Sequence, residues 1–374
     1  MSLTAHNGFR ASGLQGFRAS GLQGFRASGL QGFRASGLQG DGRDFVADSL
    51  RGLAIILVVV GHVIMGFNHS RLTFSGSALI YGYIYSFHMP LMFMISGYVD
   101  GMKENSSGTL WQIKKSVVGI YLPCLYFSFL IWFPKFLWSA LGINNAEGFN
   151  LASVNDLFRI PFYGFDIYWF LCALFFVKLL HILNEHFIPS WKFRVLFWAC
   201  AFVLYESWTG APSFCRYGLY FFIGYTLRQK NLITQDNHPE TLWGMLLLFA
   251  GMIIFSASYF YGLENVFTRT GAALCTSLAL FVIFYAWDIR GKFLAFCGAC
   301  SMVIYVLHNP VTASLRLIFR RLWLSSSVNP ALLFVICCVM CVLVPLCVIM
   351  LYKKVNCLRW IEYIFYPGKL IFRK

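Results

Sequence analysis

The chain has 374 residues, of which 58% are hydrophobic and only 12% charged, whereas a soluble globular domain carries about 25% charged residues. So few charges cannot cover a water-facing surface, which excludes a soluble fold; 39 Phe and 11 Trp instead suit surfaces that meet lipid. The formal charge of +15 is spread between apolar segments and forms no basic module, so the expected neighbour is a lipid bilayer and no nucleic acid.

The chain opens on four perfect copies of an eight-residue unit, Gly-Phe-Arg-Ala-Ser-Gly-Leu-Gln, over residues 8–39. Eight residues are too few for a solenoid unit. Two glycines and one arginine per copy, with no apolar core, predict a flexible tail over 1–44 that is neither a signal peptide nor part of the fold. A single transmembrane domain is expected over 45–374.

A helix needs about 20 apolar residues to cross a bilayer. Stretches 52–70, 72–99, 116–134, 242–263, 270–287, 293–315 and 329–352 carry no Asp, Glu, Lys or Arg. Three weaker stretches, roughly 162–183, 192–206 and 212–228, hold isolated charges such as Lys178, Arg194 and Arg216. Together they predict an all-α membrane protein, a bundle of about ten transmembrane helices. An even number leaves both termini on one side. Putting that side in the cytoplasm gives it 22 of the 30 lysines and arginines, as the positive-inside bias requires. Arg316, Arg320 and Arg321 run against this bias, clustering at an outer end.

Most of the twelve cysteines lie singly inside apolar runs, for example Cys172, Cys200, Cys275 and Cys347. There a thiol packs as a small hydrophobe. None has zinc-ligand spacing with histidine partners, so no metal site is expected. The sequence also lacks a Gly-x-Ser-x-Gly elbow and a glycine-rich phosphate loop.

Ionisable groups inside membrane helices are expensive and point to function. His62, His88 and His308 each lie in a charge-free run. Arg51 precedes His62 by eleven residues, roughly 16 Å along a helix. That spacing puts the arginine at the cytoplasmic mouth and the histidine near mid-membrane. Histidine takes protons from hydroxyls near neutral pH, and a guanidinium fork binds phosphate oxygens in pairs. A phosphate-bearing donor entering from the cytoplasm toward a buried base fits acyl transfer. A transporter or exporter of a small molecule or glycan precursor is the alternative, although no inverted repeat or pair of broken helices is visible.

Specific motifs carry this further. Asp-Ser-Leu-Arg-Gly-Leu-Ala-Ile-Ile-Leu-Val-Val-Val-Gly-His at 48–62 resembles the first helix of the acyltransferase 3 family of membrane O-acyltransferases. Ser-Phe-His-Met-Pro-Leu-Met-Phe-Met-Ile-Ser-Gly-Tyr at 86–98 is similar to the branch typified by fucose 4-O-acetylases. Tyr-Trp-Phe-Leu at 168–171, Tyr-Phe-Phe-Ile-Gly-Tyr at 220–225 and Ser-Met-Val-Ile-Tyr-Val-Leu-His-Asn-Pro at 301–310 follow in the family's order.

The resemblance implies an O-acetyltransferase of a bacterial cytoplasmic membrane. It would have no bound cofactor and use acetyl-CoA or another acyl-CoA as co-substrate, with a sugar or glycan as acceptor. His62 would be the catalytic base or an acyl-accepting nucleophile, and Arg51 would help hold the donor, with Lys114 and Lys115 beside it. His88, Trp169, His308 and Asn309 would line the acceptor site. Ser96 and Gly97 would permit close helix packing. One departure stands out. Many relatives have an arginine-rich start to the third helix, where this chain has Lys114 and Lys115, which keep the charge but lose the fork. The resemblance matches the short form of the family, without an extracytoplasmic hydrolase-like domain.

Overall fold

The computed structural model describes residues 44–102, 108–141, 152–208, 210–233, 239–325 and 328–371. The octapeptide repeats, Lys103, Arg373 and Lys374 lie outside the described residues. In chain order the principal helices are α1 (Phe45–His69), α2 (Ser77–Gly101), α3 (Thr109–Ser116), α4 (Leu122–Ala140), α5 (Val154–Tyr163), α6 (Trp169–Phe187), α7 (Trp191–Ser207), α8 (Ser213–Gln229), α9 (Pro239–Tyr261), α10 (Val266–Ala286), α11 (Lys292–Ala299), α12 (Ser301–Ser325) and α13 (Pro330–Lys354).

Among the described residues, eight segments are long and apolar enough to cross a membrane. Two of them join shorter helices: Thr109–Ala140 runs α3 into α4 through a π-turn at Val117–Tyr121, and Val154–Phe187 contains α5 and α6. The chain is therefore an integral membrane protein. Helices α7 and α8 follow the weaker stretches read from the sequence, at 17 residues each. The apolar run 293–315 is two helices. The Cys300 N–H bonds the Phe296 carbonyl at 3.0 Å and closes α11, and α12 begins at the next residue.

Position in the bundle follows composition. In α1, 61% of the most apolar stretch is buried, whereas in α9 the figure is 11%, leaving Phe249, Ile253 and Phe260 facing outward. Such an outer surface is stable only against lipid. The central helix α1 packs on α2, α11, α12 and α13. Without a hydrophobic drive between helices in lipid, close approach depends on small residues. A Cβ on Gly52 of α1 would lie 1.9 Å from the Leu294 carbonyl oxygen of α11, and one on Gly298 would lie 2.0 Å from that of Asp48. Helices α2 and α8 meet in the same way. A Cβ on Gly97 would lie 1.9 Å from the Phe221 oxygen, and one on Gly224 would lie 1.9 Å from the Met94 oxygen. Gly97 is thus the packing residue expected from the sequence, whereas the Ser96 hydroxyl turns back to the Met92 carbonyl at 2.8 Å.

Helix ends are closed locally. Ser153 and Asp156 form a capping box that starts α5, and Asn265 with Thr268 does the same for α10. Between α5 and α6 the chain turns through Gly164, with φ at 67°, and Asp166, with φ at 55°. A Cβ on Gly164 would also come within 2.8 Å of the Tyr168 oxygen, so only glycine fits there.

Candidate active site

Three helices bring the histidines together. His62 of α1 and His308 of α12 face each other with ring centroids 5.1 Å apart. Tyr85 of α2 joins His88 to this pair: its ring lies 6.3 Å from His62 and 4.6 Å from His88. Tyr81 lies against Tyr85, with ring centroids 4.0 Å apart and the rings tilted by 31°. The spacing of Tyr81, Tyr85 and His88 along α2 is that of one helix face.

Hydrogen bonds set the chemistry of each ring. His308 is fully buried, and its Nδ1 lies 2.7 Å from the Tyr305 carbonyl oxygen and 3.2 Å from that of Ile304. A carbonyl oxygen only accepts, so Nδ1 carries the proton; in the neutral ring Nε2 keeps a lone pair. That Nε2 is buried without a hydrogen-bond partner. The buried His88 is held in the same sense, donating from Nδ1 to the Ile84 carbonyl at 2.8 Å. His62 is half-buried, with Nδ1 enclosed and unpartnered. Two imidazoles with buried, unbonded ring nitrogens therefore sit side by side in the bundle interior.

A clasp holds α12 in place. Pro310 has no N–H, which frees the carbonyl four residues earlier, and that carbonyl, of Val306, accepts the Tyr168 hydroxyl at 3.3 Å. Reciprocally, the Tyr305 hydroxyl donates to the Ile167 carbonyl. The turn Asp166–Tyr168 that begins α6 is thus locked to the segment carrying His308. Lys135 adds an ion pair to this turn, with Nζ 2.6 Å from Asp166 Oδ2. Thr312 extends the His308 face, donating to the His308 carbonyl at 2.8 Å.

The remaining predicted residues are distributed differently. Arg51 lies toward the amino-terminal end of α1, half-buried, with Nη1 3.3 Å from Oδ1 of the buried Asp48. It precedes His62 by eleven positions, roughly 16 Å along the helix, so it is not part of the histidine cluster. Tyr366 lies within its field. Burial pushes that phenol above its ordinary value, and the Arg51 charge pulls in the opposite direction. Lys114 and Lys115 are exposed on α3, whose principal partner is α6. Trp169 lies against Tyr217 at 5.5 Å, and Tyr217 stacks on Phe93 at 4.7 Å, an aromatic layer that connects to His308 through Phe170 and Tyr305. Asn309 is half-buried beside His308.

Sequence reasoning missed Tyr85, Tyr305, Thr312 and Tyr366, and gave Tyr168 no role. The spacing of Tyr81, Tyr85 and His88 was a readable signal. The reciprocal clasp was not, because its partners are 138 residues apart.

Comparison with known proteins identifies the family. A family model described as an acyltransferase domain, that of the acyltransferase 3 family, matches residues 46–350. The chain is also similar to the nodulation protein NolL of Mesorhizobium japonicum, at 27% identity over 136 residues. That match spans 36% of this chain and 34% of NolL. No solved structure matches the chain significantly. The family match covers His62, His88 and His308 in one continuous domain, and the chain belongs to the acyltransferase 3 family as a membrane acyltransferase.

Proposed function

We propose that the protein moves an acetyl group from cytoplasmic acetyl-CoA to a hydroxyl of a sugar, in a surface polysaccharide or its precursor. In this reading it sits in a bacterial cytoplasmic membrane with ten crossings, α7 and α8 included, and both termini in the cytoplasm. The Lys/Arg bias supports that orientation. The observation that carries the reading is the apposition of His62 and His308 at 5.1 Å with unpartnered ring nitrogens.

Arg51 holds phosphate oxygens of the donor at the inner mouth, assisted by Lys114 and Lys115. The pantetheine arm then spans the roughly 16 Å between Arg51 and His62, delivering the thioester to the histidines. His62 takes the proton of the acceptor hydroxyl as its oxygen attacks the thioester carbonyl. A carbon–oxygen bond forms, the carbon–sulfur bond breaks, and the CoA thiolate leaves with the proton from His62. His308, fixed by its Nδ1 donor bonds, presents Nε2 to this exchange and orients His62. His88, Trp169 and Asn309 line the acceptor path.

The test compares the O-acetyl content of surface glycans in a host lacking the gene with the same host carrying wild-type or His62→Ala protein at equal membrane levels. The expected result is acetyl restored by the wild type alone. Equal restoration by His62→Ala rules out the histidine mechanism, and no acetyl in any strain rules out the acceptor and donor named here.

A further inference from the structure

The histidine pair continues outward into a cation. His62 and Gly66 share one face of α1, four residues apart, and His308, Thr312 and Arg316 form one stripe on α12. These faces meet at two levels. The rings of His62 and His308 lie 5.1 Å apart. One turn further out, a Cβ on Gly66 would lie 3.4 Å from Thr312 Cγ2 and 3.5 Å from Arg316 Nη1. Arg316 Nη1 also donates to the Gly66 carbonyl, at a long 3.5 Å. Helical side chains lean toward the amino terminus of their helix. The Arg316 guanidinium therefore leans back toward His308 and comes to the level of Gly66, roughly 6 Å in depth from His62.

We infer that Arg316 is an acceptor-side oxyanion subsite, so the acceptor carries a phosphate or carboxylate within about one sugar ring of the hydroxyl that is acylated. This rests on the proposed acyl transfer at His62. Two observations carry it. Arg316 belongs to the cationic cluster, with Arg320 and Arg321, that defies the orientation bias. It is also half-buried on the stripe that holds His308. A charge kept inside a helix interface is costly and marks a ligand path, and a guanidinium fork fits two oxygens of one phosphate or carboxylate. Glycine at 66 leaves α1 without a side chain between the guanidinium and the histidines.

The two sources of such an oxyanion are the pyrophosphate of a lipid-linked precursor and the carboxylate of an acidic sugar. Titration calorimetry on the full chain in a non-ionic detergent separates them, with inorganic pyrophosphate and D-glucuronate as probes and glucose as the neutral control. Wild type, Arg316→Gln, Arg316→Lys and Arg51→Gln are compared. One probe is expected to bind, and Arg316→Gln to weaken it about tenfold or more, the scale of one charge-assisted hydrogen bond. Arg316→Lys should recover part of the affinity, and Arg51→Gln should leave the Arg316-dependent part unchanged. Pyrophosphate binding identifies a lipid-linked acceptor, and glucuronate binding an acidic sugar. Equal affinity of wild type and Arg316→Gln for both probes, or no binding of either by the wild type, overturns the subsite. Because this readout involves no acyl transfer, Arg316-dependent binding without His62-dependent acetylation would sink the function and keep the subsite.

Discussion

Tyr168 and Tyr305 hold each other's backbone: the Tyr168 hydroxyl donates to the carbonyl of Val306, next to Tyr305, and the Tyr305 hydroxyl donates to the carbonyl of Ile167, next to Tyr168. The rings themselves are 6.2 Å apart. Both carbonyls belong to residues buried in the core, where an unmade hydrogen bond costs far more than a made one contributes.

Tyr168→Phe strands the Val306 carbonyl, because Pro310 cannot supply the missing donor. The expected loss is about 1–3 kcal/mol, read as a lower Tm in detergent. Tyr305→Phe should behave alike. If the clasp works as a unit, the double variant loses less than the two single losses added together. Strict additivity would mean two independent bonds.

For His308 the two ring nitrogens have separate tasks. The side-chain amide of His308→Asn can still donate to the Tyr305 carbonyl but has nothing in place of Nε2. This variant should keep its Tm and its affinity for acetyl-CoA while turnover falls about 100-fold or more, the usual scale of a lost proton-transfer group. His308→Gln, with the reverse capacity, should lose Tm. A His308→Asn protein with wild-type turnover would remove Nε2 from the mechanism.

Gly61 precedes His62 and makes room for Tyr85. A Cβ there would come within 2.8 Å of Tyr85 Cε2. Gly61→Ala should therefore push Tyr85 out of its position between His62 and His88 and lower turnover with little effect on membrane levels. Trimming the ring in Gly61→Ala/Tyr85→Leu relieves the clash and should leave membrane levels as they are without restoring turnover. If the single variant matches wild-type turnover, Tyr85 does not position the histidines.

How much of this was legible in the sequence depended on the kind of signal. Charge-free runs located the spans because lipid excludes charge, and intramembrane histidines stood out for the same reason. Hydropathy is blind to helix breaks. The run 293–315 read as one span, yet Gly298 must meet the Asp48 carbonyl while Cys300 closes α11. Conversely, 116–134 was read short, because Lys114 and Lys115 occupy the beginning of a segment that is helical from Thr109. The pairing of His62 with His308 could not be read from periodicity: it depends on which faces of α1 and α12 meet, and tertiary packing decides that.

The glycine contacts give the sharpest contrast. Gly97 and Gly224 put α2 and α8 backbone to backbone, with a Cβ at either site only 1.9 Å from a carbonyl oxygen of the other helix. No rotamer relieves a clash between Cβ and backbone, so Gly97→Ala or Gly224→Ala must drive the helices apart. His88 rides on α2, so the same shift moves the site. Both variants should express poorly, lose Tm and lose turnover together. Gly119, in the π-turn between α3 and α4, has no heavy atom within 4 Å of its Cβ position beyond its own neighbouring backbone. Gly119→Ala should be neutral or stabilise by up to about 1 kcal/mol, because alanine restricts the unfolded backbone more than glycine does. Thermal stability by fluorescence-detected size exclusion ranks all three. A Gly97→Ala protein as stable as Gly119→Ala would mean that α2 and α8 are not in backbone contact, and the packing that carries His88 to Tyr85 and His62 would have to be rebuilt from another interface.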